Sequence, residues 1–183
     1  GGDGTIQRCS RTQHQDLFQW SLGGMGLTGV ILRAAFRLRK VETAWIKQRT
    51  LIARNLGHAV DLLEQNNHAT YSVAWIDCLK RADGMGRSVV MLGEHASVGE
   101  LATPQRQEPF AIPKRRKASI PFDLPHWTLN RLTVSAFNSL YFRYAQRKLG
   151  EALVDWEAYF YPLDALEDWN RIYGGRGFVQ FQC

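Results

Sequence analysis

Gly24-Met25-Gly26-Leu27-Thr28-Gly29 has the spacing GxGxxG, in which residues without a side chain let backbone N–H groups approach a pyrophosphate. A dinucleotide fingerprint also needs a strand before the loop, a helix after it and an acidic residue roughly 20 positions on. Glu42 stands at a tolerable distance, but a helix-like segment precedes the loop and a strand-like one follows. A plain glycine turn, a nucleotide-contacting loop and a true fingerprint therefore all stay open. Gln180 and Gln182 fall on one face of a β-type run, and paired amides can both donate to and accept from a heteroaromatic ring. A polar, solvated strand face is the plainer reading of the same pair. Trp75 can roof a ring or simply fill a core.

Other reactive residue types are scattered. His58, His68, His95 and His126 lack ligand spacing, and Cys9, Cys78 and Cys183 form no CxxC, so no metal site and no catalytic nucleophile is assigned. Free thiols suit a reducing compartment. The run Lys114-Arg115-Arg116-Lys117 lies among the aromatics Phe110, Phe122 and Trp127. It is a solvated loop or an amphipathic lid that touches a membrane surface.

Positioning such residues requires a fold, and 183 residues with 45% hydrophobic and 22% charged suffice for one compact core. The net charge of +6 permits an anionic partner without identifying one. No run of apolar residues reaches membrane-spanning length, and no leader opens the chain. The Gly1-Gly2-Asp3-Gly4 start and the unfinished β-run at Cys183 read as the two ends of a segment cut from a longer protein.

Periodicity predicts a short strand over Thr5–Cys9, a helix over Gln13–Trp20 and a strand over Thr43–Arg49; over Val30–Arg39 the alternation of Val30, Leu32, Ala34, Phe36 and Leu38 favours a strand, while Ile31, Ala34, Ala35 and Leu38 also fit a helical face. Periodicity also predicts a helix around Leu56, Ala59, Val60 and Leu63 capped by Asn55, and strands over Tyr71–Asp77 and Ser88–Leu92. Five prolines between Ala96 and Pro125 predict a long irregular segment. Leu129, Leu132, Ala136, Phe137, Leu140 and Tyr144 define the strongest amphipathic helix. Ala158–Tyr161 reads as a strand, and Asp164 as the cap of a helix running to Tyr173. The sum is an α+β fold, a sheet packed by helices on one side.

Several blocks in order resemble one family. Asp16 through Ile31, the block Tyr71-Ser72-Val73-Ala74-Trp75-Ile76-Asp77, Phe160-Tyr161-Pro162-Leu163-Asp164, Trp169-Asn170-Arg171-Ile172-Tyr173-Gly174 and Gly177 to Gln182 are similar to the vanillyl-alcohol-oxidase (PCMH-type) class of flavoproteins. Within that class they resemble the decaprenylphosphoryl-β-D-ribose oxidase branch. The resemblance implies FAD as cofactor, held through backbone groups of a loop containing Gly24, Met25, Gly26 and Gly29, with Ile31 beside it. Met25 stands where some relatives carry Asn. It implies that Gln180 and Gln182 flank the flavin and substrate, that Trp75 and Phe160 line the substrate pocket, and that Phe160 replaces a Tyr of some relatives. It further implies residues 1–40 as the tail of an FAD-binding domain and 41–183 as the first part of an antiparallel substrate-binding domain, with residues 96–125 as a mobile basic cover.

The activity so implied is oxidation of the C2 hydroxyl of a polyprenyl-phosphoryl ribose to a 2-keto sugar, which a partner keto-reductase then consumes, in the formation of cell-wall arabinan precursors. The flavin-facing His and pyrophosphate loops of the family are not among these residues, so the segment alone is expected to bind FAD poorly. A cytoplasmic or membrane-peripheral location follows, with membrane-surface contact and no nucleic acid. The rival readings are a related sugar-lactone or alditol oxidase, and a non-catalytic basic module that binds membrane or nucleic acid through Lys114–Lys117.

Overall fold

The computed structural model describes residues 2–114, 117–125 and 127–177. The chain divides into two units, Gly1–Lys40 and Val41–Cys183.

In the first unit a helix, α1 (Gln15–Ser21), is followed by a run of turns. The expected strands Thr5–Cys9 and Val30–Arg39 do not form among the described residues. A strand is stable only when a neighbour takes its alternating N–H and C=O groups, and this unit supplies none. The alternation of Val30, Leu32, Phe36 and Leu38 is real, but nothing within the unit covers it.

The second unit is built on a four-stranded antiparallel sheet of β1 (Trp45–Ala53), β2 (Tyr71–Ile76), β3 (Ser88–His95) and β5 (Gly150–Asp155), in the order β2-β3-β1-β5. The alternating and β-branched runs that suggested β1, β2 and β3 are the ones that pair. A two-residue parallel pair joins β4 (Ala118–Ser119) to β6 (Leu166–Glu167).

Helices cover both sheet faces rather than one. α2 (Leu56–Gln65) begins at Asn55, whose side chain accepts the His58 N–H at 2.9 Å, and ends at Asn66, which accepts from Arg49 of β1. Register places Arg49 beside Leu92 and Glu151, on the face opposite Val89, Met91 and Trp75. That second face carries α4 (Arg131–Gln146) through a cluster of Val89, Ile52, Trp75, Met91, Tyr141, Phe142 and Ala145.

α4 starts where Asn130 and Thr133 cap each other, the Asn130 side chain taking the Leu132 and Thr133 N–H groups at 2.8 and 3.1 Å. Its rotation differs from the sequence expectation. Asn138, Phe142 and Ala145 are buried, whereas Leu132, Phe137, Leu140 and Tyr144 stay exposed. A polar bond decides between the two stripes: Asn138 Nδ2 donates to the buried Asp77 carboxylate at 2.7 Å, and only this rotation satisfies it.

Three further expectations change. Residues Ala158–Tyr161 belong mainly to a helix, α5 (Trp156–Phe160), because Asp155 ends β5 and immediately caps, its side chain taking the Ala158 N–H at 2.9 Å. Parts of the proline-rich segment take regular structure. Ser97 and Glu100 form a capping box around a single helical turn, Leu101 is buried against Trp45 and Ala96, and α3 (Thr103–Gln107) carries Pro104 in its first turn, where a missing N–H costs nothing. The expected helix from Asp164 to Tyr173 is instead two 3₁₀ segments, Pro162–Ala165 and Trp169–Arg176, separated by β6.

Candidate functional site

The glycine loop begins where α1 stops. The Ser21 hydroxyl donates to Leu17 O at 2.7 Å and lies 2.9 Å from Thr28 Oγ1, which closes the loop on the helix end. Leu27 N–H donates to Gly24 O at 2.9 Å, and Met25 and Gly26 between them have φ of 52° and 77°. Positive φ at both central positions makes this a type I′ turn, a conformation that Gly26 adopts freely and Met25 at a cost.

A Cβ on Gly24 would collide with the Trp20 carbonyl, so this glycine is required by the chain itself. At Gly26 and Gly29 a Cβ would meet nothing within 4 Å. The space beside them is open, and the Met25 and Gly26 N–H groups bond to nothing among the described residues. A bare backbone edge with free donors suits a flavin's carbonyl or phosphate oxygens. Met25 and Ile31 are both exposed beside it.

In the second unit, Tyr71, Val73 and Trp75 share one face of β2, as alternation predicted. Trp75 packs on Tyr141 of α4, ring centroids 4.7 Å apart. Phe160 of α5 meets Tyr71 edge-on at 4.9 Å. The two candidate substrate residues therefore stand on the same sheet face, one under α4 and the other at α5, with Val73 between them 45% exposed. Gln180, Gln182 and Cys183 lie outside the described residues, as does part of the basic run, Arg115 and Arg116.

Two constellations were missed in the sequence. Tyr71 Oη lies 3.0 Å from His95 Nε2, which yields a phenol–imidazole pair able to hold or pass a proton. The signal was available, since Tyr71 pairs with Gly93 and His95 is two residues further on the same face. Asp77 accepts from Asn138, from Arg87 Nε at 2.9 Å and Nη2 at 2.8 Å, and from Leu79 N–H at 3.1 Å. Burial pushes its pKa upward, but these donors outweigh the burial and hold the carboxyl below its ordinary value. Nothing in the spacing of Asp77, Arg87 and Asn138 announces that network.

Comparison with known proteins finds distant relatives, two of which are described. A decaprenylphosphoryl-β-D-ribose oxidase of Mycolicibacterium smegmatis is 28% identical over 169 residues, which are 91% of this chain and 36% of that protein. The chain is distantly related to an oxidase. An uncharacterised Streptomyces coelicolor protein, named for its position in the mprA 5′ region, is 28% identical over 189 aligned residues, 99% of this chain and 50% of its own length. The chain thus spans between about a third and a half of the curated relatives it matches. No family model matches. Among the described residues no helix is long and apolar enough to cross a membrane.

Proposed function

We propose that the chain is part of an FAD-dependent oxidoreductase that oxidises the C2 hydroxyl of a polyprenyl-phosphoryl ribose to the 2-keto sugar. One observation carries the reading: similarity to an oxidase of that substrate name runs through 91% of the chain. The loop chemistry is compatible with it, because the open backbone at Gly26 and Gly29 leaves room for a planar cofactor edge.

In this reading Gly24, Met25, Gly26 and Gly29 hold FAD through main-chain groups, and Ile31 packs beside it. FAD, when bound, supplies the two-electron acceptor for the carbinol hydride. Trp75 and Phe160 wall the sugar, and Gln180 and Gln182 fix the ring and substrate by amide hydrogen bonds. The product is a ketone, so a reductase is the partner that consumes it, and the polyprenyl tail brings the protein to a membrane surface.

The test uses the longer reading frame that contains this chain. The purified protein should be yellow, and anaerobic polyprenyl-phosphoryl ribose should bleach the flavin. Bleaching by free sugar lactones alone would assign it to lactone or alditol oxidation instead. A colourless protein that FAD does not reconstitute would end the reading.

A further inference from the structure

We propose that Lys80, Arg81 and Arg131 form a binding site for the phosphate group of an organic phosphate ester. The three line one hollow of about 490 Å³ just beyond the end of β2. Two come from the loop that follows the strand and the third is the first residue of α4, so the fold gathers charges from distant parts of the sequence. Among the described residues no carboxylate lines the hollow. Among the described residues the ion pairs engage Lys47 and Arg87 and none of these three. Asp77, adjacent in sequence, is already bound to Arg87, Asn138 and the Leu79 N–H.

Three cationic residues around one concavity set up a positive local potential that a bound anion would neutralise. Arg131 also sits at the positive end of a 16-residue helix, which adds to the same field.

The frame around the hollow is fixed. Ala82 holds the left-handed φ of 53°, a costly conformation for a residue with a Cβ. It is maintained by Met85 N–H to Ala82 O at 2.9 Å, Arg87 N–H to Gly84 O at 3.1 Å and Asp77 N–H to Arg87 O at 3.0 Å. Leu79 and Met85 supply apolar wall beside the cations, and the volume exceeds that of a bare phosphate. The hollow therefore suits phosphate attached to an organic group, either a lipid headgroup or a small soluble ester. The site needs no flavin and stands whether or not the oxidase reading holds.

The test titrates the longer protein that contains this chain with inorganic phosphate against chloride at constant ionic strength, followed by amide NMR shifts. Saturable shifts confined to Leu79–Met85 and the start of α4 are expected. The exposed double change Lys80→Gln/Arg81→Gln, and separately Arg131→Gln, should each weaken binding about tenfold, whereas Lys114→Gln/Lys117→Gln should not. Co-sedimentation with phosphatidylcholine vesicles containing phosphatidic acid, lost in the same variants, assigns a lipid phosphate. Phosphate binding without vesicle binding assigns a soluble ester. Non-saturable shifts, or equal affinity in all variants with circular dichroism unchanged, would overturn the site.

Discussion

The phenol of Tyr159 lies directly against the bare α-carbon of Gly93: a Cβ there would stand 2.6 Å from Tyr159 Cζ and 2.7 Å from its oxygen. The same hydroxyl donates to Met91 O at 3.2 Å. Helix α5 is thus fastened to the sheet at a point where only glycine leaves room. Gly93→Ala should destabilise the second unit by about 2 kcal/mol through overpacking, read as a lower urea midpoint at unchanged slope. An unchanged midpoint would mean that Tyr159 moves away freely.

Burial pushes the Tyr159 hydroxyl up to about 12, with the nearby Glu94 charge adding to it. A folded value above the unfolded one near 10 means that the native state holds its proton more tightly. The contribution is complete below pH 10 and is lost as pH rises toward about 12. Tyr159→Phe should flatten that alkaline decline, measured by urea titrations across the range.

Asp77 is 2% exposed and its carboxylate meets Arg87, whose side chain is 14% exposed. Asp77→Asn leaves that guanidinium without its counter-charge and should cost about 3 kcal/mol. Because the folded pKa is lowered, the stabilisation is present above the unfolded value near 3.9 and disappears as pH falls below it. Acid unfolding of Asp77→Asn should accordingly be shallower than that of the parent.

Glu100 accepts from Lys47 Nζ at 2.7 Å and from the Ser97 N–H at 2.9 Å, which together hold its pKa at about 2. Carboxyl NMR should place its titration there, well under the ordinary 4.5. Lys47→Met should move it only part of the way back, since the Ser97 donor remains. This pair lies in solvent, so added salt should shift the midpoint upward as well.

At the glycine loop, Gly26 has φ of 77° with open space on its Cβ side. Gly26→Val should strain the turn and fill that space. The fraction of the longer protein purified with flavin should fall at least about tenfold, as measured by absorbance. Equal flavin content would place the cofactor elsewhere.

Local signals were legible where the answer was local. Asn55 before an apolar period gave α2, and the alternation through Tyr71, Val73 and Trp75 gave β2 and its common face. The rotation of α4 was hidden because two stripes on it are apolar, and the choice between them depends on Asn138 finding Asp77, a partner 61 residues away. Val30–Arg39 failed for a related reason, as its alternation states which side would be buried but not whether a neighbour exists. The α5 segment was misread because Asp155 both closes β5 and caps the next helix, and strand composition conceals the cap. The glycine spacing marked a turn at Gly24–Gly29, while the turn type had to come from the dihedral angles.

Strand β1 bonds to β3 on one edge and to β5 on the other, so the central strand comes early in the chain and its second neighbour much later. During synthesis the stretch Trp45–Ala53 must wait with one flank bare until the ribosome has passed Asp155. The second unit should therefore assemble late and in one step, and a nascent chain halted before that point is a template for self-association.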